Sequence, residues 1–245
     1  MNGAQMAAVS SQVREMVLAH IRDEPLRPGD RLPPERAFAL AWDVSRASVR
    51  AAIAQLTDDG VLTVRQGAGT FVAPPKVERN LWDLRSLAES AREAGRELRT
   101  EVIDMRVVPA DERTADLLDL AAGADVLSLR RLRIIDDVPA AVETSMLGLS
   151  RFESLDAVDF GARGLYETLA DDYDTVVTSG HQRLGIDAIG PEIAEHLDLA
   201  ETSRIFHVTG TASDESGRPI ERFESWLRPD SIRFISDLQN IEEAV

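Results

Sequence analysis

The sequence predicts an α+β chain in two parts: a small helical module closed by a glycine-rich hairpin, then a larger domain with a mainly antiparallel sheet. Three observations carry this. Residues 30–72 (DRLPPERAFALAWDVSRASVRAAIAQLTDDGVLTVRQGAGTFV) read as two short helices across a tight turn and a hairpin with Gly67 and Gly69 at its tip. Residues 73–80 (APPKVERN) carry a Pro-Pro pair that favours an extended connection. Beyond them, strand and helix patterns alternate to the end of a 245-residue chain, a length that suits two domains. The expected boundaries are 1–73 for the first domain, 74–80 for the linker and 81–245 for the second domain.

In the first module Val9, Val13, Val17 and Ile21 recur at four-residue spacing and predict one apolar helix face. Pro25 and Pro28-Gly29 break that helix. Pro33 and Pro34 can open a second, since a first-turn proline sacrifices no intrahelical bond; Phe38 and Ala41 are expected to point inward from it. Trp42-Asp43-Val44 forms the turn, and Ser45 is placed to cap a third helix. Val49, Ile53 and Leu56 give that helix its buried face, Arg46, Ser48 and Arg50 its polar face, and Gly60 a left-handed stop. Strands VLTVR and TFV complete the winged helix-turn-helix pattern. An arginine fork can bridge guanine O6 and N7, and hydroxyls position phosphates, so the polar face is a candidate major-groove reader.

The net charge of −16 opposes that reading only on average. Residues 1–75 carry eight Arg against eight Asp or Glu, while the remainder carries 19 basic against 35 acidic residues. Screening over about 10 Å at 0.1 M salt isolates a local basic face from distant charge. Without cysteine there is no disulfide framework, and no apolar run reaches membrane-span length. A cytoplasmic protein without membrane contact is expected.

The second domain begins with an expected helix at 81–94 and a strand at 100–108. The helix ADERTADLLDLAAG follows, then a strand at 126–135, a turn at Asp136-Asp137 and a partner strand at 139–147. A helix near 163–171, a strand near 175–187, the helix GPEIAEHLDL and strands at 204–213 and 219–228 complete it. Alternation along 126–135 puts Arg131 and Arg133 on one face with Leu127, Leu129 and Ile135. Two arginines on a partly apolar face require an anion or carboxylate; Glu143 on the partner strand is one candidate. The pattern fits either a pocket for an anionic small molecule or an Arg–Glu cluster at a sheet edge or dimer interface.

Other chemistry is weak. His20, His181, His196 and His207 have no metal-ligand spacing, so no metal is expected; His20 and His196 read as surface residues, His181 and His207 as strand residues that could line a pocket. No nucleophile elbow, P-loop or dinucleotide fingerprint occurs, and no cofactor or catalytic residue is assigned.

The motifs PGDRLPPER, VSRASVR and RQGAGTFV together resemble the DNA-binding domain of the GntR family of bacterial transcription regulators. The resemblance implies that Arg36 contacts DNA backbone or base, that Ser45, Arg46, Ser48 and Arg50 lie at the major groove, and that Gln66, Gly67 and Gly69 approach the minor groove or backbone. Asp43 stands where the family often has Gly, and Ala47 replaces a frequent Thr. The later pattern LRRLRIIDDVPAAVETSML, GLYETL and RPIERFESWLRPDSIRF is similar to the HutC subfamily's UTRA domain, which implies a chorismate-lyase-like fold, a homodimer and a small effector. By that similarity Arg131, Arg133, Glu143, Tyr166 and Glu221 contact the effector. Gly164 for Ser, Leu227 for Tyr and Leu87 for Phe argue against an amino-sugar phosphate. The expected function is a transcription regulator of the repressor type on a near-palindromic DNA operator. The alternatives are an effector-independent dimeric DNA-binding protein and a lyase-like enzyme with a DNA-binding appendage.

Overall fold

A computed structural model describes residues 3–65 and 67–236. The chain divides into two compact units, residues 1–76 and 77–245.

The first unit contains helices α1 (Gly3–Asp23), α2 (Glu35–Ala41) and α3 (Arg46–Asp58), then strands β1 (Leu62–Arg65) and β2 (Gly69–Val72) paired antiparallel. Val13 and Val17 of α1, Phe38 of α2, Val49, Ile53 and Leu56 of α3, and Leu62 and Val72 of the hairpin form one core. Each is buried because its helix or strand period points it inward. The side chain of Val9 lies outside the described residues. The turn before α3 needs a left-handed residue, and Asp43 supplies it at φ 52°. Ser45 caps α3 by accepting a hydrogen bond from Ser48 N at 3.0 Å. At the other end Gly60, at φ 72°, donates to Thr57 O while Val61 N reaches back to Leu56 O. That pair of bonds satisfies the last carbonyls of the helix. Ala41 is exposed rather than inward. In so short a helix Phe38 stacks on Trp42 at 4.4 Å, and this pair with Ala39 turns Leu40 and Ala41 to solvent.

The second unit holds β3 (Val77–Asn80), α4 (Leu87–Glu93), β4 (Leu98–Pro109), α5 (Glu112–Leu118), β5 (Asp125–Ile135) and β6 (Val138–Gly148). It continues through α6 (Leu165–Tyr173), β7 (Ser179–Ala188), α7 (Pro191–His196), β8 (Arg204–Ser213), β9 (Pro219–Leu227) and β10 (Ile232–Ile235). Six strands form an antiparallel sheet in the order β4-β5-β6-β9-β8-β7, and β3 pairs in parallel with β10. The β5–β6 hairpin turns on Asp136 and Asp137, both at positive φ, as the right-handed strand twist requires of a two-residue loop.

Two sequence expectations change here. Residues 77–80, read as the end of the connection, form a strand: Val77 is fully buried and packs with Leu87, Ile135, Ala141 and Leu227. Burial of one apolar side chain and pairing with β10 outweigh the extended-linker reading, leaving Pro74–Lys76 ahead of the strand. The helix expected from residue 81 begins only at Leu87. Asn80 and Asp83 side chains accept from the backbone N–H groups of Trp82 and Arg85, offering that stretch turns in place of a helix. Ser86 and Glu89 then close a reciprocal cap that starts α4.

Candidate functional site

In the first unit the polar face of α3 is set by its core. With Val49, Ile53 and Leu56 buried, Arg46 and Arg50 must project to solvent, and Ser48 lies between them. Among the described residues Arg46 and Arg36 make no ion pair or side-chain hydrogen bond. Arg50 differs: its fork engages Glu35 of α2, with Nε to Oε1 at 3.1 Å and Nη2 to Oε2 at 2.9 Å. Arg46 is therefore the unencumbered guanidinium of the helix, whereas Arg50 must share or leave Glu35 to reach another acceptor. Ser48 Oγ lies 2.9 Å from Ser45 Oγ, tying both hydroxyls to the helix start.

At the wing, Gly67 and Gly69 adopt φ 74° and 124°. A side chain at Gly69 would also meet Arg31, whose Nε would sit 2.8 Å from its Cβ. Arg31 thus lies over the wing strand, a position the sequence reading did not single out although it stands inside PGDRLPPER. Gln66 lies outside the described residues.

In the second unit strand register does the assembly. Arg131 of β5 faces Glu143 of β6, and Glu143 in turn faces Ser225 of β9. Glu143 Oε2 stands 3.7 Å from both Arg131 Nη2 and Arg133 Nη1. Both arginines are buried, and their Nε atoms have no hydrogen-bond acceptor in the protein. On the same sheet face Tyr166 of α6 donates to Glu221 Oε2 at 2.6 Å, and Arg131 Nη2 donates to Ser145 Oγ at 3.3 Å. The five residues singled out in this domain therefore belong to one connected cluster. Ser145 joins it, and the signal was available: it alternates in register two residues beyond Glu143.

The charges settle unequally. Burial pushes the Glu143 carboxyl up, but Arg133, Arg131 and Arg79 outweigh it and hold it below the usual range. Burial lowers the Arg133 guanidinium against the pull of Glu143. Glu221 goes the other way: burial raises it despite the hydrogen bonds from Ser145 and Tyr166. Burial, followed by the Glu221 charge, also lifts the Tyr166 phenol well above its ordinary value. Two cations thus face one firmly ionised carboxylate, beside a second carboxyl whose ionisation is disfavoured. The arrangement can hold an anion; nothing in it forms an acid, base and nucleophile set.

His207 does not reach this cluster. It pairs with Trp226 in register, on the opposite sheet face from Glu221, stacks on that ring at 3.8 Å, and bonds Asp187 and Glu224 at 2.9 and 2.8 Å. His181 is exposed on β7. His20 is half-buried, packing edge-on against Phe38 at 5.1 Å. Among the described residues no cluster of His, Asp and Glu has the makings of a metal site, and no helix is long and apolar enough to cross a membrane.

Residues 9–72 match the gntR family of bacterial regulatory proteins, and residues 93–233 match the UTRA domain. The chain belongs to the GntR family and carries a UTRA domain. Among relatives of this GntR regulator, the HTH-type transcriptional regulator Rv0792c of Mycobacterium tuberculosis is 30% identical over 92% of this chain and 84% of its own. The transcriptional repressor NagR of Bacillus subtilis is 26% identical over 91% of this chain and 92% of its own. The crystal structure of PhnF from Mycobacterium smegmatis superposes with a TM-score of 0.69, at 26% identity, over 93% of this chain and 99% of PhnF. The GntR assignment makes the first unit a DNA-binding module and the UTRA unit an effector domain, and the lyase-like enzyme reading is not favoured.

Proposed function

We propose that this GntR regulator is a non-enzymatic cytoplasmic repressor, acting as a homodimer on a near-palindromic operator and releasing or gripping it in response to a small anionic effector. Arg36, Arg46 and Arg50 read or clamp DNA, Ser45 and Ser48 set the start of the reading helix, and Gln66, Gly67 and Gly69 form the wing contact. Arg131, Arg133, Glu143, Tyr166 and Glu221 hold the effector. NagR is named a repressor, which supports the direction of control. Dimerisation would set two α3 helices on successive major-groove faces, the geometry a two-fold operator requires. The observation that carries the effector assignment is the buried Arg131–Arg133 pair: two guanidiniums with free Nε donors and one carboxylate 3.7 Å away.

The domain needs only modest coupling: a tenfold change in operator affinity corresponds to about 1.4 kcal/mol. A screen of anionic metabolites by thermal shift, on wild type and Arg133→Ala, tests the assignment. Compounds that stabilise only the wild type support it. A broad anionic library with no such compound points instead to a domain that only dimerises.

A further inference from the structure

Helix α3 carries two arginines that the structure treats differently. Arg46 and Arg50 stand four residues apart, neighbours on the exposed face of the helix. Arg46 is unpaired among the described residues, whereas Arg50 is held by Glu35, the first residue of α2. Arg50 Nε lies 3.1 and 3.3 Å from the two carboxylate oxygens of Glu35, and Nη2 lies 2.9 Å from Oε2. The carboxylate therefore closes one edge of the guanidinium and fixes its plane, while Nη1 bonds nothing among the described residues. The cation is the outer member of the pair: the Arg50 side chain is 66% exposed and that of Glu35 27%. A strand of DNA approaching this face meets Arg50 first, with a negative charge fixed behind it.

We propose that Glu35 is a specificity-determining residue of the DNA-binding face: it neutralises Arg50 against random phosphate and orients its fork, so that Arg50 adds affinity only on the operator. This rests on the reading of α3 as the recognition helix. Non-specific affinity follows the number of phosphates that cations neutralise, so a carboxylate bound to one of those cations lowers it for every sequence alike. Arg46 is left untouched. Specificity is a difference of affinities, and a penalty on wrong partners raises it as a new contact to the right one does. An exposed ion pair is also weak enough to yield when an operator acceptor stands where the oriented fork points.

The test uses the full-length protein and fluorescence anisotropy over a range of salt concentrations. The probes are promoter DNA from upstream of its own gene and scrambled DNA of the same composition. Glu35→Gln should tighten scrambled-DNA binding roughly fivefold or more at 0.1 M salt and steepen its salt slope by about 0.9, the contribution of one phosphate contact. The promoter Kd should move by less than about twofold, because the gain in charge is offset by an unoriented fork, so the preference for promoter falls. Glu35→Asp, which keeps the charge but withdraws it by one methylene, should lie between wild type and Glu35→Gln. In an Arg50→Gln background the effect of Glu35→Gln on scrambled DNA should shrink to less than about twofold. An equal gain in both backgrounds would be mere loss of a negative charge and overturns the proposal. Unchanged scrambled-DNA affinity and salt slope in Glu35→Gln, with promoter affinity lost in Arg46→Ala, overturns the role of Glu35 and leaves α3 as the reading helix. Promoter affinity retained in Arg46→Ala overturns the reading helix itself.

Discussion

Replacing Glu143 with Gln removes the one firmly ionised carboxylate from a buried pair of arginines. Its Oε2 lies 3.7 Å from each guanidinium, and the three side chains are 7%, 6% and 14% exposed. At an effective dielectric near 20, each contact is worth roughly 4 kcal/mol before desolvation. Breaking a buried ion pair from one side usually costs about 3–5 kcal/mol, because the orphaned charge stays buried. The lower end applies here, since neither contact is short enough to be a hydrogen bond. About 3 kcal/mol in a unit of this size lowers Tm by roughly 6–12 °C. The sign with pH follows from Glu143 titrating below its unfolded value, near 4.3 for a glutamate. Its stabilisation is complete above that value and lost as pH falls through the folded one. Thermal melts of wild type and Glu143→Gln should therefore differ widely at pH 7 and converge only as pH falls below the ordinary glutamate range. A difference under about 2 °C at pH 7 would show that the arginines do not depend on Glu143, and the argument for an anion site would fall.

Two further substitutions probe other parts of the account. Glu221 titrates above its ordinary value, so its folded form favours the proton and stability is lost as pH rises through the folded pKa. Glu221→Gln should flatten that decline above the ordinary glutamate range and narrow any Tm deficit against wild type as pH rises; a deficit that widens with rising pH contradicts the assignment. Gly60→Ala forces a Cβ into a left-handed position at φ 72° and displaces the Lys76 side chain. About 1–2 kcal/mol of stability should be lost on chemical denaturation of the first unit, and an unchanged midpoint contradicts the cap.

Much of this was legible because period and spacing decide it. The buried face of α3 follows from Val49, Ile53 and Leu56 at helical intervals, and the Arg131–Glu143 meeting follows from strand alternation across a two-residue turn. What stayed hidden depended on contacts distant in sequence. Arg79 sits in a segment whose prolines suggest a linker; only the parallel pairing of β3 with β10, some 155 residues away, brings it to the sheet. Residues 81–86 have helix-compatible composition, and the Asx turns at Asn80 and Asp83 were the local signal against it. The engagement of Arg50 by Glu35 could not be read either, because it depends on how α2 crosses α3.

The central claim is that α3 reads DNA through its free arginine. It is tested most directly by fluorescence anisotropy with promoter DNA from upstream of the protein's own gene, comparing wild type with Arg46→Ala at fixed salt. Loss of one bidentate base contact, about 1–3 kcal/mol, predicts a Kd raised roughly 5- to 150-fold with weakened preference for promoter over scrambled DNA. Unchanged affinity and preference in a folded Arg46→Ala protein would contradict the assignment of α3 as the reading helix.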